Sequence, residues 1–251
     1  MRKKTLSLLL CVVLLCSMAA CATKDHDHNN MNENNNQIEL PEGPYVINSA
    51  DWPIYDSAES LTDVADLVFI GRITEIEFQV LDSATALPIS ESTSEYARAL
   101  YTIYNVEVLT TYKGDTTNIS KVRVMGGLVG YEVEKQLQVM EEGKTFAREN
   151  GIPIWDSYQK VQGEVGESYL FVLKQFDTGY PTIINLEQAI YNLDDPTQKR
   201  TIGDNKTLYY SGEKDEYNNP LISVNDIISV FGKDALSSFT EKWTTGAYAA
   251  K

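Results

Sequence analysis

All three cysteines of this 251-residue chain, Cys11, Cys16 and Cys21, lie in its first 21 positions, and none follows. Whatever folds downstream therefore has no disulfide and no thiol chemistry, and must be held by its apolar core alone. About 210 residues remain after the opening segments, enough for such a core. The stretch that holds the cysteines, MRKKTLSLLLCVVLLCSMAAC, has the anatomy of an exported leader. Arg2, Lys3 and Lys4 make a positive start, and residues 6–18 follow as an apolar run of suitable length. That run is too short to span a bilayer comfortably.

Small Ala19 and Ala20 stand directly before Cys21, and this resembles the lipobox of bacterial lipoprotein signals. Met18 occupies the position where that family prefers Leu, a mild departure. Cys11 and Cys16 each follow a leucine, too large for the cleavage position. The resemblance implies a signal peptide over 1–20, acyl chains such as palmitate on Cys21, and a lipid anchor on the extracytoplasmic face of a cell membrane. The other reading is an ordinary secretory peptide whose last cysteine is incidental. Residues 21–40 then form the lipidated cysteine and a polar tether. Residues 22–37 carry six asparagines, four charges and two histidines, with Met31 the lone long apolar side chain. Such a stretch has nothing to bury. Its Asp25-His26-Asp27-His28 run lacks the supporting hydrogen bonds that fix a metal ligand, so no metal site is expected there.

The charge balance excludes some partners. Three of the 21 basic residues leave with the leader while all 36 acidic ones stay, so 18 basic face 36 acidic residues and the mature net charge is −18. That disfavours nucleic acid and direct contact with anionic lipid.

Residues 41–251 read as a single, mainly β domain. Ser60 and Asp63 have capping-box spacing for a short helical turn. Residues 67–78 follow as a long strand whose face pattern changes near Gly71, where a bulge is expected. Residues 82–96 are a polar excursion. Residues 100–112 form a second strand, with Tyr104, Val106 and Val108 on one face, and Lys113-Gly114-Asp115 turns the chain. Residues 119–125 form a third, with Lys121 and Arg123 alternating against Val122 and Val124. Residues 130–165 read mostly as loop with one short strand or helix. Residues 166–176 return to strand, 181–193 supply a hairpin partner or two short strands, and 206–212 one more. Near the end the period becomes helical. Ser223 with Asp226 caps one helix that Gly232 ends, and Asp234 caps another bearing Leu236, Phe239 and Trp243. The expected architecture is a curved antiparallel sheet closed as a small barrel, with short peripheral helices including a C-terminal helical segment.

ADLVFIGRI (65–73), YNVEVLTTYKGD (104–115) and GESYLFVLK (166–174) resemble, in that order, the strands of the netrin-like module, over roughly residues 60–175. That module shares its barrel with the tissue inhibitors of metalloproteinases, and the resemblance implies an OB-like closed β-barrel. The motifs describe strands and turns, so they carry fold and no site. Eukaryotic members use disulfides, which this domain lacks. The inhibitors bind their target's zinc through a free N-terminal cysteine. Here the corresponding residue would be a lipidated Cys21, far upstream, so inhibition is not implied.

Catalysis has few openings. No histidine follows His28, so neither Ser-His-Asp chemistry nor a histidine metal site is available to the domain. No GxGxxG or GxxxxGK run marks a nucleotide cradle, and no DxDxDG loop marks calcium. Carboxylate pairs such as Glu132 with Glu134 or Asp194 with Asp195 would suit glycan hydrolysis. With 36 acidic residues, such neighbours arise by chance. Ser168 and Lys174 form the remaining catalytic candidate. No cofactor is expected. Aromatics motivate binding instead: Trp155 and Tyr158 in a loop at 151–160, and Trp52 and Tyr55 at 48–57, form a candidate surface for a protein or glycan partner. The alternative role for Trp155 is to seal one end of the barrel. For the whole chain, the rival reading is a structural accessory subunit of an envelope assembly.

Overall fold

The computed structural model describes residues 43–48, 52–155, 162–186, 188–193, 201–202, 206–207 and 222–249. Cys21, Tyr158, Asp194 and Asp195 lie outside these residues, as does most of the strand expected over 206–212. The elements begin with β1 (Tyr45–Asn48) and helix α1 (Ala58–Val64). The two long strands β2 (Leu67–Asp82) and β3 (Arg98–Lys113) follow, then β4 (Lys121–Met125) and α2 (Val133–Glu142). Next come β5 (Ile152–Trp155), β6 (Ser168–Lys174), β7 (Thr182–Ile183) and β8 (Ile190–Asn192). The short pair β9 (Thr201–Ile202) and β10 (Lys206–Thr207) precedes α3 (Val224–Ser229) and α4 (Lys233–Thr244).

The chain is mainly β, with a large antiparallel-rich sheet and a few short helices. Its main sheet runs β2-β3-β4-β7-β6-β8, and β2 also pairs with β6. The pairings of five strands therefore return upon themselves. Within this sheet only the β4–β7 contact, Arg123 opposite Thr182, is parallel. β2 bears both pairings at once, because residues 67–72 face β6 while the whole strand faces β3. A strand with two neighbours over such a length must coil, and β2 does so through register shifts at Val68/Phe69, Ile70/Gly71 and Ile73/Glu75. The middle shift falls at the expected bulge. Gly71 is needed there for close approach: a Cβ would come within 2.9 Å of the Phe69 ring and 3.3 Å of the Glu107 carbonyl.

Inside the ring lies one contiguous core. Phe69 and Phe171 meet at 5.3 Å between centroids, and Ile73, Tyr104, Val122, Val124 and Tyr169 pack in the same cluster. The tyrosine hydroxyls reach loop backbone: Tyr104 accepts from the Gly163 N–H at 3.1 Å and Tyr169 from the Glu164 N–H at 3.0 Å. Burial raises the pKa of both phenols, so they stay neutral acceptors. The C-terminal segment is bound to the ring by Ser168, whose hydroxyl donates to the Tyr248 carbonyl at 2.7 Å.

The helices show where short-range reading slipped. The first capping box is formed by Ser57 and Ser60, one turn earlier than the Ser60–Asp63 spacing suggests. Ser60 is the N3 partner rather than the cap, because Ala58 and Leu61 are the residues that face the core. Ser223 and Asp226 form the expected box on α3. On α4 the cap position is Gly232, and Asp234 sits inside the first turn. The region 130–165 is more ordered than loop, holding α2, a short 3₁₀ turn at Phe146–Glu149 and β5. Fully buried Gln136 secures α2 by accepting from the Leu128 N–H and donating to the Leu128 carbonyl, both at 2.9 Å. Gln136→Leu strands both groups without partners. It should therefore cost about 2–4 kcal/mol in urea unfolding. A loss under about 0.5 kcal/mol would contradict this role.

Candidate functional site

Strand β4 turns Val122 and Val124 into the ring core and Lys121, Arg123 and Met125 to the opposite face. Alternation of this kind normally leaves the second face in water. Here two loops fold over it. The segment after β2 doubles back, pairing Leu81 with Pro88, and the Asp82 N–H donates to the Leu87 carbonyl at 2.9 Å. The turn after β6 joins it, with the Thr178 hydroxyl donating to the Thr85 carbonyl at 2.7 Å. Gly179 permits the close meeting: its φ is +73°, and a Cβ there would lie 2.7 Å from the Ala86 carbonyl and 2.9 Å from Arg123 Nη1. Between the loops and the strands a cavity of about 670 Å³ remains, lined by Trp52, Tyr101, Arg123, Met125, Trp155 and Phe176 among others.

Two of the aromatics singled out from the sequence meet here. Trp155 belongs to β5, which pairs in parallel with β1, and not to a loop. The correction has a physical reason: Ile152 and Ile154 are buried core residues, which fixes the strand and turns Trp155 to the other side. Its indole N–H donates to the Met125 carbonyl at 2.9 Å, and its ring meets Trp52 edge to face at 5.5 Å and 72°. Tyr55 is not part of this wall. It packs on the main core, as Trp52 and Trp155 also do, but does not line the cavity, and its backbone is clasped by the Gln188 side chain, at 2.9 Å from the Tyr55 N–H and 3.0 Å to its carbonyl.

Arg123 is the unusual member. It is 6 % exposed, and its side chain makes no hydrogen bond or ion pair among the described residues. Its guanidinium lies between the Tyr101 ring at 5.9 Å and the Phe176 ring at 5.8 Å. Such contacts contribute roughly 0.5–2 kcal/mol each and give the buried Nη1 no hydrogen-bond acceptor. Burial accordingly pulls its pKa down from the ordinary arginine value. The indole N–H of Trp52, on the same cavity wall, is likewise buried without an acceptor among the described residues. Neither nearby carboxylate serves: Asp82 caps its own turn by accepting from the Ala84 and Thr85 N–H groups, and Asp177 stands exposed on the rim. Sequence reading passed over Arg123 because an arginine alternating with valines looks solvated.

The catalytic candidates among the described residues do not assemble. Glu132 and Glu134 are exposed, Glu132 pairing with Lys135 at 2.7 Å. Lys174 pairs with Asp66 at 3.0 Å while Ser168 is committed to Tyr248. Among the described residues, no three His, Cys, Asp or Glu side chains gather as a metal group, and no helix is long and apolar enough to cross a membrane. No protein-family model matches the chain, and no curated protein matches it either.

Two residues before Arg123, Lys121 shows what a satisfied cation looks like: its ammonium meets Glu77 at 2.7 Å. Lys121 and Asn105 hold the Glu77 carboxyl below its ordinary value. A depressed folded pKa means stability that is present above the unfolded value and lost as pH falls through the folded one. Glu77→Gln should therefore flatten the decline of stability below about pH 4.5, the ordinary glutamate value. Unchanged acid dependence in urea titrations at several pH values would contradict that pairing.

Proposed function

We propose that this is a lipid-anchored extracytoplasmic lipoprotein whose folded domain is a non-catalytic binding module for a protein or glycan partner. Support for the anchor is the leader and the Ala19-Ala20-Cys21 junction. Cys21→Ser should move the protein from the detergent phase to the aqueous phase on Triton X-114 partitioning. Retention in the detergent phase would contradict lipidation at that residue.

The ring of strands is read as an OB-like closed barrel. Its pairing order β2-β3-β4-β7-β6-β2, its one parallel contact between β4 and β7, and the placement of α2 between β4 and β6 all support this. In such barrels, ligands sit on the outer face of the second and third strands, between the loop joining the first two strands and the loop joining the last two. The corresponding strands are β3 and β4, and the corresponding loops follow β2 and β6. The cavity lies there, and this coincidence carries the proposal. Trp52 and Trp155 supply rigid aromatic surface of the kind that dominates binding energy.

The test is capture on the immobilised mature chain of detergent-solubilised envelope proteins and envelope glycans from its own cells, with Trp155→Ala alongside. One component should be retained in stoichiometric amount, and the variant should weaken it by roughly tenfold or more. Failure to retain anything, or equal retention by the variant, overturns the reading.

A further inference from the structure

We propose that the cavity takes a small monoanionic carboxylate with an apolar or aromatic body, its acid group held by Arg123 and its body laid against Trp52 and Trp155. The inference goes beyond the reading of a protein or glycan partner: it gives the cavity a small-molecule ligand of its own.

The acid group follows from what Arg123 lacks. A guanidinium offers five N–H donors in a planar fork that matches a carboxylate, and a buried cation is tolerated when such a partner completes it. Arg123 is more than nine-tenths buried, lines the cavity, and has no acceptor among the described residues. Among the described residues the two nearby carboxylates make no pair with it: Asp82 is held in its own turn and Asp177 is exposed on the cavity rim. An incoming carboxylate is thus the missing half of an ion pair. Another buried donor with no partner among the described residues, the Trp52 indole N–H, belongs to the same wall.

Charge limits the ligand to one negative group. A phosphate monoester brings nearly two charges against one cation, on a chain whose net charge is −15 before processing. The body follows from the walls. Tyr101, Met125, Trp52, Trp155 and Phe176 are apolar or aromatic surfaces. The polar side chain of Asn185 is already spent, donating to the Pro53 carbonyl at 2.9 Å and to Gln188 at 3.2 Å. Thr178 and Thr182 donate to the Thr85 and Arg123 carbonyls, and the other polar lining residues, Ser83, Thr85 and Asp177, are exposed on the loops rather than set in the aromatic walls. A volume of about 670 Å³ is that of a small-molecule site.

Isothermal titration of the mature chain with phenylacetate, phenylacetamide and glucuronate decides the matter. Phenylacetate should bind, and the amide, isosteric but uncharged, should bind roughly tenfold or more weakly. Arg123→Gln should reduce phenylacetate binding to the level of the amide while its melting temperature stays equal to or above that of the unaltered protein, since an unpaired buried charge has gone. Arg123→Lys should rescue only part of the affinity, because a point charge replaces the fork. Equal binding of acid and amide, or no phenylacetate binding at millimolar concentration, overturns the proposal without requiring any variant to fold. Binding of glucuronate in place of phenylacetate overturns the apolar body. If phenylacetate fails while Trp155-dependent capture persists, the carboxylate site falls and the binding module stands. If phenylacetate binds and nothing is captured, the site stands and the macromolecular partner falls.

Discussion

The structure depends on one strand having two neighbours. β2 is paired along its whole length with β3 and over residues 67–72 with β6, and no flat strand satisfies both. The three register shifts in β2 supply the coiling, and Gly71 removes the side chain that would stand between the Phe69 ring and the Glu107 carbonyl. Once β2 bends, β6 is carried round toward β7, and the pairings close. With no disulfide available to the domain, this closure and the aromatic core within it hold the fold.

Closure also decides which face of each strand is outside, and that produces the site. β4 directs Arg123 outward, where an arginine costs nothing if water reaches it. The loops after β2 and β6 then cover it, locked by Thr178 to Thr85 and by the tight approach at Gly179. The protein thus leaves one buried nitrogen of a cation without a partner beside an open cavity. Lys121, two residues away on the same face, makes the contrast: it was given Glu77. A domain selected only for stability would have an uncharged residue at 123, because replacing an uncompensated buried charge generally stabilises.

How much of this was legible before the structure depends on the range of the interactions involved. Period-2 alternation placed β3, β4 and the second half of β2 within a few residues, an apolar run placed β6, and the bulge at Gly71 followed from a change of face along one strand. Ser223 and Asp226 were readable because a capping box is a three-residue affair. The box at Ser57 was misplaced by a turn, since Ser57, Ser60 and Asp63 are spaced alike and only the burial of Ala58 and Leu61 chooses between them. Trp52 and Trp155 were marked separately as exposed-aromatic candidates, but their meeting across 103 positions of sequence depends on β1 pairing with β5. Arg123 was not marked at all. Its local pattern is that of a solvated residue, and its burial arises from Thr85, Ala86, Phe176 and Gly179, all distant in sequence.

A crystal structure of the protein with phenylacetate would test the central claim, that Arg123 is buried in wait for an acid group, most directly. The account predicts a carboxylate within hydrogen-bond distance of the Arg123 guanidinium, the ring against Trp52 or Trp155, and both loops in place. A guanidinium swung out into solvent, or paired with one of the protein's own carboxylates, with no ligand in the cavity, would contradict it.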